Sequence, residues 1–167
     1  EKILTVTVAG LLEVDFRAPS CDYETYMKLT RILTKDNMHD LEQMYRVMCF
    51  NILTHNRDDH TKNFSFMYTD DKSWRLAPAY DLSYSDTYFV EHTTSVNGKG
   101  KDISDDDLLK VGSEAGLSKS FCKDILNTIK TETGALDEYL SKKPRPRSKK
   151  TNWKNRVKDL SIHKSPF

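Results

Sequence analysis

Apolar side chains between residues 40 and 54 fall at Leu41, Met44, Tyr45, Met48, Cys49 and Ile52. Steps of three and four residues place them along one face of an amphipathic helix. A Met and aromatic stripe at that spacing reads as core. Residues 23–34 carry Tyr23, Tyr26, Met27, Leu29, Thr30 and Leu33 near the same spacing and predict another helix. Asn37-Met38-His39-Asp40 breaks the pattern, with Asn37 or Asp40 as the cap of the helix that follows. The period then shortens. Phe64, Phe66 and Tyr68 alternate with Ser65 and Met67. Residues 64–69 and 73–77 predict a short hairpin around Asp70-Asp71-Lys72. Trp74 reads as a packing residue of that hairpin.

Flanking segments are less periodic. Residues 1–12 predict an edge strand or the end of a longer element. Phe16 to Ser20 predicts a loop, because Pro19 disfavours helix at Ala18; Ser20 or Asp22 caps the next helix. Residues 83–102 read as a long loop, with Asn97-Gly98-Lys99-Gly100 a turn and not a phosphate loop. Ser104 is an N-cap followed by three acids that suit the positive end of a helix. That helix spans 104–115 and stops at Gly116. Ser118 starts a second helix through Phe121, Cys122, Ile125, Leu126 and Ile129. Gly134 interrupts before a third, Leu136–Leu140. The predicted fold class is mainly α with a small β-hairpin.

Composition adds a boundary. Residues 142–167 hold ten Lys/Arg and one acid, while residues 1–141 hold sixteen Lys/Arg and twenty-four Asp/Glu. The net charge of +1 thus hides an acidic body and a basic tail. Lys143-Pro144-Arg145-Pro146-Arg147-Ser148-Lys149-Lys150 is too polar to pack. The expected organisation is a domain over 1–141 and a basic, partly disordered tail over 142–167, with Trp153, Val157, Leu160 and Ile162 as a weak docking helix. The tail is a solvated extension, a nucleic-acid contact or a strap onto the acidic body. Three separated cysteines, Cys21, Cys49 and Cys122, point to a reducing cytoplasm rather than a disulfide framework. No apolar run approaches the roughly 20 residues of a membrane span, and the start carries no signal-peptide pattern. The chain begins at Glu1 rather than Met, as a fragment would.

Between the main helix and the hairpin lies His55-Asn56-Arg57-Asp58-Asp59-His60-Thr61-Lys62-Asn63. So many charged and amide groups between two apolar elements suit a site better than a core. Arg57-Asp58 followed by Asn63 has the R-D-x-x-x-x-N spacing of protein kinase catalytic loops. Phosphoryl transfer needs a carboxylate to orient the acceptor hydroxyl and accept its proton, and hard oxygen ligands for Mg2+ nearby. A second metal carboxylate belongs on a later strand or turn, and Asp81 in Ala77-Pro78-Ala79-Tyr80-Asp81-Leu82 fits. The bland reading of Asp58 to Asn63 is a polar turn that caps the helix.

The specific wording carries more. Phe50-Asn51-Ile52-Leu53, Asn56 to Phe66, Trp74 to Leu82 and Glu91 to Gly100 together resemble the C-terminal lobe of HipA-like serine/threonine kinases, the toxins of bacterial type II toxin–antitoxin pairs. The resemblance covers residues 1 to about 135. It implies a kinase-like C-terminal lobe with Asp58 as catalytic base. Asn63 and Asp81 would hold Mg2+ against ATP, and His60 and Lys62 would support the loop or the phosphates. It also implies bacterial cytoplasmic protein substrates, aminoacyl-tRNA synthetases among them, and a helix-turn-helix antitoxin partner. His92 is a substrate contact or a structural histidine.

One departure is large. The 167 residues contain no Gly-rich nucleotide loop and no strand lysine for the α/β-phosphates, so the expectation is half an ATP cleft with the N-terminal lobe absent. A longer protein or a separate chain would complete it, or the chain is inactive alone. Three alternatives stand beside this: an inactive remnant that binds protein or nucleic acid, a small-molecule kinase sharing D-x-x-x-x-N, and a metal phosphohydrolase on His39-Asp40, Asp58, Asp59 and His60.

Overall fold

The computed structural model describes residues 2–15, 21–83 and 91–142, with side chains described through 134. The expected loop at 16–20, the cap at Ser20 and the basic tail from Lys143 lie outside the described residues. The chain divides into two compact units, Glu1–Gly134 and Ala135–Phe167. The core and the polar loop belong to the first.

The order of elements is β1 (Leu4–Thr7), α1 (Val8–Leu12), α2 (Tyr23–Leu33), α3 (Met38–Leu53), β2 (Ser65–Tyr68), β3 (Trp74–Leu76), α4 (Asp105–Glu114) and α5 (Lys119–Lys142), with a 3-10 turn at Thr61–Asn63 between α3 and β2. The helices start where short polar side chains satisfy orphan amides. Asp22 accepts from Thr25 N, Asn37 from Asp40 N, and Ser104 from Asp107 N. Asn37 rather than Asp40 is therefore the cap of α3. Ser104 and Asp107 form a reciprocal capping box.

The hairpin is part of a three-stranded antiparallel sheet, order β1-β2-β3. Leu4 to Thr7 pair with Tyr68 to Ser65, and Phe66, Met67 and Tyr68 pair with Leu76, Arg75 and Trp74. Tyr68 and Trp74 meet edge to face at 5.3 Å. Asp71 and Ser73 close the turn through their side chains. Residues 1–12 thus give a strand and then a short helix, which docks through Val8 N on Phe64 O at 2.8 Å.

The α3 stripe is the centre of the core. Leu41, Met44, Tyr45, Met48, Cys49 and Ile52 are all buried, with Tyr23, Tyr26 and Met27 of α2, Phe64, Phe66, Leu108, Val111, Cys122, Ile125 and Leu126 around them. Each such side chain contributes about 1.5–3 kcal/mol of apolar burial. Burial pushes the Cys49 thiol up to about 12, as expected of a small core residue and not of a nucleophile. Helix α5 runs through Gly134 without a break to Lys142, so the separate helix expected at 136–140 is its continuation. One glycine costs a helix only about 1 kcal/mol, too little to stop it.

Two contacts aim the site. Arg75 of β3 donates from Nε and Nη2 to buried Asp40 at 2.8 and 3.1 Å, and Leu76 N adds a bond at 3.3 Å. This ties the start of α3 to the strand that leads to Asp81. One residue further on, at the open end of the same hairpin, Ala77 N bonds Ser65 O at 2.9 Å. The hairpin accordingly holds the loop after α3 and the segment before Asp81 in a fixed relation.

Candidate active site

Helix α3 ends at Leu53, and the chain turns through His55 in left-handed backbone, φ 54°. The next residues point in opposite directions. Asp58 is exposed, its side chain 59% accessible, whereas Asp59 beside it is 0% accessible. Asp59 accepts from Tyr23 OH at 2.9 Å, Thr93 N at 2.9 Å and Thr94 N at 3.1 Å, and Nδ1 of His92 lies at 3.2 Å. Thr94 also donates its hydroxyl to the Asp59 carbonyl. A buried carboxylate is tolerated only with such a set of donors. On its Nδ1 side His92 thus has the structural role, one of the two that the sequence left open.

The network continues inward. Asn51 Nδ2 donates to Tyr23 OH at 3.0 Å, and Asn56 Nδ2 donates to Asn51 Oδ1 at 3.0 Å and to the Asp81 carbonyl at 3.2 Å. Burial and the neighbouring Asp59 anion push the Tyr23 phenol well above its ordinary value, so it stays a donor. Through Asn56 the loop and the Asp81 backbone are joined directly. A second tie is Tyr80, which donates to the Lys62 carbonyl and lies 2.6 Å from Ser65 Oγ.

The surface side of the loop carries the sequence-predicted residues. Asn63 Nδ2 donates to the Asp58 carbonyl at 2.8 Å. That commits the amide nitrogen and leaves Oδ1 as its remaining acceptor. His60 Nε2 lies 3.7 Å from Asp58 Oδ1. Lys62 and Asp81 are exposed. Asp81 takes left-handed backbone, φ 55°, which is uncommon outside glycine and costs of the order of 1 kcal/mol or more. No side chain among the described residues bonds the Asp81 carboxylate. The two segments that carry Asp58, Asn63 and Asp81 are thus brought together by Asn56 and Tyr80. Asp40 and Asp59, which the phosphohydrolase alternative needs, are spent on Arg75 and on Tyr23 with Thr93 and Thr94. Among the described residues no three His, Cys, Asp or Glu side chains converge.

Sequence reasoning missed the roles of Asn51, Asn56, Tyr23 and Asp59. Asn51 carried a signal: an amide between Phe50 and Ile52, beside a buried stripe, demands a partner.

A mainly helical lobe with a small antiparallel sheet, presenting an Asp-x-x-x-x-Asn loop beside a carboxylate on the following segment, is a kinase-like C-terminal lobe. Residues 1–135 match the HipA-like C-terminal domain, and the chain belongs to that family. It is similar to a Sinorhizobium fredii (strain NBRC 101917 / NGR234) protein named "Putative kinase Y4dM", 31% identical over 109 residues, which is 62% of this chain and 27% of that protein. Its fold matches HipA in the Shewanella oneidensis MR-1 toxin–antitoxin complex of HipA, HipB and operator DNA. The TM-score is 0.71 and the identity 16%, over 95% of this chain and 42% of that one. The chain therefore spans less than half the length of either.

Proposed function

We propose that this chain is the catalytic half of a bacterial, cytoplasmic serine/threonine kinase toxin that transfers the ATP γ-phosphate to a protein hydroxyl with Mg2+. The observation that carries the reading is the division of labour in Asn63. Its nitrogen is fixed on the Asp58 carbonyl, so its oxygen and the Asp81 carboxylate remain as hard donors. Oxygen donors of this kind, without thiolate or imidazole, suit a Mg2+ ion that keeps water and phosphate oxygens as its other ligands. Mg2+ supplies neutralisation of the phosphate charge and template order.

The chain's own residues do the rest. Asp58, exposed on a loop whose next residue is anchored, orients the acceptor hydroxyl and takes its proton. His60 at 3.7 Å steadies that carboxylate. Lys62, on the exposed face of the 3-10 turn, supplies positive charge toward phosphate. The buried Asn51–Tyr23–Asp59 network keeps the loop from adjusting, which is the preorganisation that phosphoryl transfer depends on.

ATP binding needs the other wall of the cleft, from the rest of a longer protein or from a separate N-terminal lobe. A helix-turn-helix antitoxin is the expected partner, supported by the likeness to HipA in its complex with HipB and operator DNA. Contact with nucleic acid would then be indirect. Protein hydroxyls, those of an aminoacyl-tRNA synthetase among them, are the expected substrates. The test is transfer of labelled γ-phosphate to protein acceptors by the chain, alone and with an N-terminal lobe supplied in trans. The expected result is transfer that Asp58→Ala abolishes. Transfer that survives Asp58→Ala in a folded protein would overturn the assignment.

A further inference from the structure

We propose that the flank of the polar loop carries a second site, which binds a phosphomonoester dianion of the kind presented by a phosphoserine or phosphothreonine side chain. A cavity of about 210 Å³ lies there, lined among others by Ile52, His55, Arg57, His92, Lys101 and Asp102. None of Asp58, Asn63 and Asp81 lines it. Its walls come from two parts of the chain. His55 and Arg57 stand just past the C-terminus of α3. His92 and Lys101 stand at the two ends of a loop closed by His92 N on Gly100 O at 2.8 Å.

The charge is lopsided. Among the lining residues Arg57 and Lys101 are permanent cations and two imidazoles accompany them, against the one carboxylate of Asp102, with the carboxylates of Asp59 behind His92 and Glu91 beside Gly100. Among the described residues, His55, Arg57 and Lys101 take part in no ion pair. Arg57 and Lys101 share one concavity without an ion-pair partner of their own, and a bound anion relieves their repulsion. His92 is held in a specific way. Its Nδ1 faces the fully buried carboxylate of Asp59 at 3.2 Å and its side chain is only 6% accessible. That fixes the ring and leaves Nε2 for a ligand, to which it donates when the imidazole carries both protons. The guanidinium fork of Arg57 matches two phosphate oxygens at once. Ile52 supplies an apolar wall that lowers the local dielectric and strengthens both interactions.

The shape selects within the anions. A monoester needs one link out of a small cavity, whereas a phosphodiester needs two. The backbone adds a consequence. The Arg57 carbonyl accepts from Thr93 N at 3.2 Å and from Thr93 Oγ1 at 2.9 Å. A ligand on Arg57 and His92 therefore bridges the two segments that this contact already joins, one residue from Asp58. The site stands on this geometry and does not require the kinase reading.

Imidazole NMR of the chain, titrated with inorganic phosphate at constant ionic strength and without ATP or Mg2+, tests it. The His55 signal is assigned from His55→Gln and the His92 signal from His92→Gln. The expected result is saturable shifts at both rings. Arg57→Gln combined with Lys101→Gln weakens binding by about tenfold or more, Asp102→Asn tightens it, and Lys2→Ala, away from the cavity, leaves it unchanged. N-acetyl-O-phosphoserine amide competes, and a dinucleoside monophosphate does not. Absent shifts, equal affinity in the folded double variant, loss with Lys2→Ala, or equal binding of the diester would each overturn the proposal. Because no nucleotide is present, that failure leaves the proposed transfer activity untouched.

Discussion

Asp58 and Asp59 are neighbours with opposite physics. Asp58 is largely in water, so Asp58→Ala should change stability by less than about 0.5 kcal/mol while removing phosphate transfer. Asp59 is buried among four partners, and Asp59→Ala strands Tyr23 OH and two backbone amides. The expected loss is about 3 kcal/mol, read as a lower urea midpoint at unchanged slope. Equal stability of the two variants would contradict the buried network. Both residues stand in one motif, and the sequence gives no sign of which faces inward. The backbone turn at His55 decides that, and it depends on where α3 ends. Asn51 was the readable clue, because an amide beside an apolar stripe is costly unless it has a partner.

At the scale of elements, α4 rests on two devices. Gly112 faces α3 and α5 so closely that an added Cβ would lie 2.6 Å from both Cys122 Sγ and Tyr45 Cε2. Alanine gains up to about 1 kcal/mol of helix propensity, but the clash costs about 1–3 kcal/mol. Gly112→Ala should thus lower the melting temperature, and a stabilised variant would show that the helices separate freely. The other device is Asp107. Bonds from Lys99 at 2.8 Å, from Ser104 and from Asn97 hold its carboxyl well below the usual range. A carboxylate depressed in the folded state stabilises above its unfolded value, about pH 4, and that stability fades as the pH falls further. The melting temperature of the protein should therefore drop more steeply below about pH 4 than that of Asp107→Asn, which is already less stable at pH 7. Parallel curves would sink the assignment. The Ser104 cap and acidic first turn were legible, whereas Lys99 and Asn97 reach Asp107 only because Asn97-Gly98 forms a tight turn with φ of 49° and 74°.

For the whole molecule, period carried most of the fold. The stripe over 40–54 became the central helix, and the alternation over 64–77 became two strands. The third strand, Leu4 to Thr7, was legible as an edge strand, but its partner was not, because the pairing spans about sixty residues of sequence. Local pattern does not register such pairings. Gly134 misled for the opposite reason: a helix already in place absorbs one poor residue. What the fold accomplishes is to set Asn63 and Asp81 on separate segments with a shared buried anchor, Asn56. The claim that these two side chains form a Mg2+ site is central. Calorimetry of Mg2+–ATP, with an N-terminal lobe supplied in trans, tests it most directly on the chain, on Asp81→Ala and on Asn63→Ala. The account predicts Mg2+-dependent binding that each substitution weakens by about tenfold or more, roughly 1.4 kcal/mol. Binding of equal strength in all three folded proteins would contradict it.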